Sequence, residues 1–166
     1  MQSRTETLEI GSSAPSFSLS AANCEGTFTL GGFLEHGPLI LEVLRGTWCP
    51  NCVKRMAQFE SRKAEIEAAG AQVAFLAAEK RDGVWKPGKF LEKHPASWPF
   101  LLDEDRAVTK EYGLHNALAL DAWNIAHPAT LLIDRGGVIR YLYRGDNQTD
   151  RAPLDEVLKA AEKFRS

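Results

Sequence analysis

The sequence predicts an α/β fold: a central mixed sheet flanked by helices, with an N-terminal β-hairpin extension. Three patterns carry this reading. First, an apolar run of strand length, Leu39 to Leu44, leads through a turn into a helix opened by Pro50, and a second apolar run, Gln72 to Ala78, follows. Strand, helix and strand at this spacing form a right-handed parallel unit. Second, Ala129 to Asp134 and Val138 to Tyr143 flank Arg135-Gly-Gly137, which reads as an antiparallel hairpin. Third, Asp150 to Ser166 reads as a closing amphipathic helix, with Pro153 in its first turn and Leu154, Val157, Leu158 and Ala161 on one stripe.

The remaining elements follow from local pattern. Residues 1–166 are expected to form one domain, of which residues 1–13 are polar and read as a loose lead-in. Phe17 and Leu19 alternate with polar residues, as do the residues of Gly26 to Leu30, so the two segments form the extra hairpin around Asn23 to Gly26. Gly31 to His36 is a brief helical turn closed by Gly37-Pro38. The helix from Pro50 is expected to reach about Ala69 and stop at Gly70. Its inner stripe is Cys52, Met56, Phe59 and Ile66. Val84 to His94 reads as a helix weakened by Pro87 and Gly88, and Pro99 to Leu102 as a short strand. Asp103 is placed to cap a helix from about Glu104 to Tyr112, stopped by Gly113. Asn116 to Ala126 is apolar at Leu118, Leu120, Trp123 and Ile125 but has no periodicity that assigns it.

Composition narrows the function classes. A net charge of −2 with both signs interspersed gives no basis for a nucleic-acid partner. No run of eighteen apolar residues is present, so no membrane span is expected. No apolar signal segment follows the polar N-terminus, which makes the cytoplasm the expected location. Three cysteines are too few for a disulfide scaffold.

The chemistry is concentrated in Cys49-Pro50-Asn51-Cys52. Pro50 suits a first helical turn, which puts Cys49 at the helix N-terminus and Cys52 one turn further in. Free N–H groups and the positive end of the helix dipole favour a thiolate at Cys49. Cys52 lies on the same helix face, is expected to be the more shielded of the two, and can attack Cys49 to close a disulfide. The competing reading is half of a zinc site. It would need four ligands, and the remaining Cys24 and the four histidines show no paired ligand spacing, so neither metal nor cofactor is expected. Cys24, in the hairpin turn, is either a loop cysteine or a second resolving thiol.

Trp48-Cys-Pro-Asn-Cys52 together with His127-Pro-Ala-Thr-Leu-Leu-Ile-Asp134 resembles the thioredoxin superfamily. The extra hairpin and the segment from Phe100 to Ala126 are similar to its redoxin branch, the alkyl hydroperoxide reductase/thiol-specific antioxidant proteins or peroxiredoxins. The stretch Tyr141 to Pro153 resembles a peroxiredoxin-like subgroup with a Trp-Cys-Pro-x-Cys centre. The likeness covers about residues 14 to 165. It implies a thioredoxin fold, an antioxidant thiol oxidoreductase, and a cis Pro128 beside the cysteines. The peroxiredoxin pattern Pro-x-x-x-Thr-x-x-Cys is broken here. Glu42 and Gly46 stand at its Pro and Thr positions, Thr47 is displaced by one residue, and Pro128 replaces an arginine.

The expected reaction is nucleophilic attack by Cys49 on an S–S or O–O bond, with Cys52 resolving the product and an external dithiol, such as a thioredoxin-like protein, resetting the pair. The expected substrates are peroxides or disulfides, and the chain is compatible with a homodimer. Arg45 is either a thiolate- or peroxide-stabilising cation or a surface arginine. Glu42, inside an apolar strand, is either a proton shuttle for Cys52 or an edge-facing or arginine-paired carboxylate. His127 is expected to raise the positive potential at the cysteines if it faces them. Trp48 is expected to shield the site. The alternative from another class is a redox-sensing or binding module without turnover.

Overall fold

Five strands form the frame: in spatial order β5 (Phe100–Leu102), β4 (Gln72–Ala77), β3 (Leu39–Leu44), β8 (Ala129–Ile133) and β9 (Ile139–Arg144). The structure, a computed structural model, describes residues 2–83, 86–118 and 123–165. Strand β3 runs parallel to β4, with Leu39 opposite Gln72, and antiparallel to β8, with Val43 opposite Ala129. All six of its residues are buried because both sheet faces are covered. Leu39, Leu41 and Val43 enter a core with Phe17, Phe33 and Tyr112. Ile40 and Leu44 enter the opposite core with Cys49, Cys52, Met56, Phe59 and Val157. Each fully buried Leu or Ile contributes roughly 1.5–3 kcal/mol of apolar burial. Alternation therefore places Glu42 on the face that carries the cysteines.

The hairpin of β1 (Ser18–Ser20) and β2 (Thr27–Thr29) forms as expected, followed by α1 (Leu30–Leu34), whose first turn is capped by Thr29 Oγ1 accepting from Gly32 N–H. Helix α4 (Pro87–Lys93) occupies part of the expected 84–94 helix; residues 84 and 85 lie outside the described residues. The stretch that the sequence leaves unassigned contains a second small hairpin, β6 (His115–Leu118) and β7 (Trp123–Ala126), with residues 119–122 outside the described residues. Helix α6 (Leu154–Lys163) buries the predicted stripe against β8 and β9.

Three expectations are corrected. The segment before residue 14 is docked on the sheet: Gln2 exchanges backbone hydrogen bonds with Arg144 (3.1 and 2.8 Å), and Gly11 and Ser12 pair with Ile139. The cause is that β9 is an edge strand whose open N–H and C=O groups need partners. The helix expected from Pro50 to Ala69 is two helices, α2 (Pro50–Ser61) and α3 (Lys63–Ala68). It breaks at Arg62 (φ −114°, ψ 20°), whose guanidinium is held at 2.7 Å by both Glu65 and Asp155. Helix α5 (Ala107–Glu111) starts later than the sequence suggests. The buried Asp103 carboxylate still serves its first turn, accepting from the N–H groups of Val108 and Thr109 and from the Thr109 hydroxyl.

Candidate active site

Cys49 is the N-cap of α2, with extended backbone (φ −90°, ψ 114°) and Pro50 at the first helical position. Its carbonyl accepts from the N–H groups of Cys52 and Val53 at 3.0 and 3.1 Å, which closes the first turn and brings the two thiols onto one side. Both cysteines are free thiols here. Both are shielded from solvent: Cys49 is 0% and Cys52 1% exposed. The cover comes from the loop before Cys49. The half-buried Trp48 indole lies so close over Gly46 that a Cβ there would sit 2.2 Å from Nε1. The Arg45 guanidinium stands 5.1 Å from the Trp48 ring centroid.

Electrostatics does separate the two thiols. Cys49 is pulled down to about 5, first because the Cys52 thiol donates to its sulfur, with smaller help from the Cys52 N–H and Arg45 and with burial opposing. Arg45 Nη1 lies 3.7 Å from Cys49 Sγ. Cys52 is pushed far up, because its proton is held by Cys49 and because it is buried. The neighbouring S–H thus acts on Cys49 more strongly than the Cys52 backbone N–H of the first helical turn. In this arrangement the proton stays on Cys52 and the negative charge on Cys49.

Glu42 is fully buried beneath this pair and is an ion-pair partner, which displaces the proton-shuttle reading. Arg55 Nε donates to its Oε1 at 2.8 Å, and the Thr130 hydroxyl donates to its Oε2. Arg55 Nη1 donates to Ala152 O at 2.7 Å and Nη2 to Thr130 Oγ1 at 3.2 Å, so the guanidinium joins α2, β3, β8 and the segment before α6. Sequence reasoning missed Arg55, although a signal was present. It falls on the buried stripe with Cys52, Met56 and Phe59, where an arginine needs an acid.

Thr47 is turned to a different task from the one its place near Cys49 suggests. Its N–H and hydroxyl donate to Glu79 Oε1 at 2.8 and 3.0 Å, tying the loop to the end of β4. Burial pushes the Glu79 carboxyl up, and the Thr47 hydrogen bonds oppose that. His127 is half-buried and pushed down, first by burial and then by Arg144. The other groups that bear on it are Glu6, Asp146 and His115.

Pro128 is buried at the start of β8, at the sheet end where β3 runs into the cysteine loop. The His127–Pro128 peptide bond is trans, and no cis bond occurs among the described residues, which corrects the implied cis Pro128. Trans is favoured by about 0.5–1 kcal/mol before proline. The trans chain pairs Ala129 with both Val43 and Arg144, and Pro128 O accepts from Gly145 N–H at 2.7 Å. Cys24 is exposed in the hairpin turn, 3.6 Å from Asn23 Oδ1. Among the described residues no group of three or more His, Cys, Asp or Glu comes together that could hold a metal ion.

Two further residues complete the site from the loop between β9 and α6. Gln148 Oε1 accepts from Arg45 Nη1 at 3.2 Å, and Arg151 Nη2 lies 3.3 Å from Cys52 Sγ. Neither carried a role at the sequence level, since they lie about a hundred residues from their partners.

A family model described as Redoxin matches residues 9–158. The chain is 28% identical over 160 residues to the thiol:disulfide interchange protein DsbE of Escherichia coli (strain K12), and 30% identical over 164 residues to that of Yersinia pestis. Each comparison covers 96% of this chain and 77% of the relative. Among solved structures, the chain is similar to peroxidoxin BcpB from Mycobacterium tuberculosis, with a TM-score of 0.81 over 95% of this chain and 98% of that one. At 22% identity, that likeness shows the fold alone.

Proposed function

The chain belongs to the Redoxin family, and on that premise we propose that this thiol-dependent oxidoreductase works through Cys49 as nucleophile and Cys52 as resolving thiol, with disulfides as the favoured substrate. The observation that carries this reading is the placement of the two thiols, Cys49 at the N-cap of α2 with Arg45 Nη1 3.7 Å from its sulfur and Cys52 one turn further in, an arrangement that pulls Cys49 down to about 5 and holds Cys52 up. At neutral pH the nucleophile is then already a thiolate while its partner keeps a proton.

The Cys49 thiolate attacks one sulfur of a substrate disulfide, forming a mixed disulfide and expelling the first substrate thiolate. Cys52 then gives up its proton and attacks the Cys49 sulfur, expelling the second. The substrate has gained two electrons and the Cys49–Cys52 pair has lost them, to be restored by an external dithiol. Because Cys49 is fully covered, a disulfide reaches it only when the residues around it yield. The names of the DsbE relatives support exchange with disulfides.

A second reading, reduction of peroxide, is favoured by Arg45 beside Cys49, a cation suited to steady a peroxide oxygen. In that case Cys49 becomes a sulfenic acid, and Cys52 condenses with it to release water. The Glu42, Gly46 and Thr47 arrangement argues against speed, because Glu42 is paired with Arg55 and Thr47 with Glu79. Disulfide reduction and hydrogen peroxide consumption, measured on one sample with a dithiol donor, decide between them. Faster disulfide turnover, abolished by Cys49→Ser, is expected. Peroxide oxidation near ~10⁷–10⁸ M⁻¹s⁻¹, the diffusional range, makes the chain a thiol peroxidase instead. Absence of steady-state turnover with either substrate makes it a sensor.

A further inference from the structure

The two arginines of the site divide between the two sulfurs. Arg45 Nη1 points to Cys49 Sγ (3.7 Å) and Arg151 Nη2 to Cys52 Sγ (3.3 Å). Gln148 links them: its side-chain oxygen accepts from Arg45 Nη1 at 3.2 Å, and its backbone carbonyl accepts from Arg151 Nε at 3.1 Å. The loop that carries Gln148 and Arg151 is held in shape. Asp150 accepts from Asp146 N–H and from the Tyr143 hydroxyl, and a Cβ at Gly145 would sit 2.1 Å from Asp150 O. Arg151 Nη1 is buried with no hydrogen-bond partner, so the guanidinium's close polar contact at the reacting centre is the Cys52 sulfur.

We propose that Arg151 is a catalytic residue for the second half of the reaction: it stabilises the thiolate that Cys52 becomes as it attacks the Cys49 sulfur. This role rests on the dithiol reading above. In the reduced pair Cys52 holds its proton for Cys49, and burial further disfavours its ionisation. Once Cys49 is tied up in a mixed disulfide or a sulfenic acid, the first of these influences is gone, but burial remains. Among the described residues, the charged and titratable groups in contact with Cys52 are Cys49, Arg45 and Arg151, and Arg55 and Glu42 lie one turn further along α2 and across on β3. Glu42 and Arg55 neutralise one another, and Arg45 points its guanidinium at Cys49. That leaves Arg151 as the side-chain cation at the sulfur that must ionise, beside the Arg45 backbone N–H, which donates to the same sulfur at 3.3 Å. Closure then forms the Cys52–Cys49 S–S bond and expels the substrate thiolate, or hydroxide that leaves as water after taking up a proton.

A cation within about 4–6 Å lowers a thiol pKa by roughly 1–3. Below that pKa each step of one changes the thiolate fraction tenfold, and the accompanying change in nucleophilicity (β of about 0.4–0.5) returns part of it. The net is about 3.5-fold per step, so losing Arg151 slows closure by roughly 4- to 40-fold.

The test uses the full-length Cys24→Ser chain, reduced and mixed with excess chromogenic aromatic disulfide. Attack by Cys49 releases one coloured thiolate at a rate that depends on reagent concentration; closure by Cys52 releases a second at a rate that does not. Arg151→Met is expected to slow the concentration-independent phase about 4- to 40-fold and to move its pH midpoint upward, and Arg151→Lys to recover part of both. Arg151→Gln gives the same slowing and serves if the methionine variant does not fold. An unchanged closing rate and pH profile, or a lysine variant no better than the methionine one, overturns the role of Arg151 alone. A parent chain that releases no second thiolate overturns the dithiol reading itself, and the role with it.

Discussion

Arg55 and Glu42 form an ion pair that is almost wholly removed from water: Nε to Oε1 is 2.8 Å, with the two side chains 3% and 1% exposed. It sits one helical turn beyond Cys52, bridging α2 to the central strand and, through Thr130, to β8. Breaking one side of such a pair strands a buried charge and costs about 3–5 kcal/mol, whereas replacing both sides with apolar groups of similar volume costs far less. Arg55→Ala is therefore expected to destabilise the fold by about 3–5 kcal/mol in denaturant unfolding, and the double variant Glu42→Met/Arg55→Met to lie closer to the parent. A loss below about 1 kcal/mol for Arg55→Ala, within the range of an exposed pair, would contradict the structural role.

The second prediction concerns pH. With its pKa pulled down to about 5, Cys49 is protonated and slow below that value and a thiolate above it. Alkylation of Cys49, followed by mass spectrometry, should rise through a midpoint near 5 and be nearly flat across neutral pH. Cys52→Ala removes the first cause and should move the midpoint upward; Arg45→Met should move it upward by less. A midpoint near ~8.5, the value of an unperturbed thiol, would show that Cys52 and Arg45 do not act on Cys49.

Gly46→Ala tests the cover. Its added methyl would land on the Trp48 indole, 2.2 Å from Nε1, so the ring has to move. The expected outcome is a red-shifted Trp48 fluorescence, faster alkylation of Cys49, and a stability loss of about 1–3 kcal/mol, the range for overpacking. Unchanged spectra and unchanged alkylation would mean that Trp48 does not cover the thiolate.

Cys24→Ser should retain most turnover. The thiol is exposed in a hairpin turn beside Asn23, while Cys49 has a partner one helical turn away whose proton it already shares. A fall to background in steady-state disulfide reduction would make Cys24 the resolving thiol.

Local pattern was enough for the elements that position the reactive pair. The apolar run of β3, the proline after Cys49 and the three-residue step to Cys52 each act over a few residues, so strand, N-cap and thiol order are legible without the fold. The same holds for the β8–β9 hairpin and for the stripe of α6. Alternation in β3 puts Glu42 on one face with Ile40 and Leu44, but it names no partner.

The partners were decided by tertiary structure. Glu42 meets Thr130 across 88 positions, Thr47 meets Glu79 across 32, and Arg151 meets Cys52 across 99. The docked N-terminal segment and the break at Arg62 belong to the same class, because each depends on a strand edge or a side chain supplied from elsewhere in the chain. Periodicity encodes which way a side chain points. Which charge it finds there depends on how separately formed elements pack, and here that packing sets Arg55 on Glu42 and Arg151 beside Cys52.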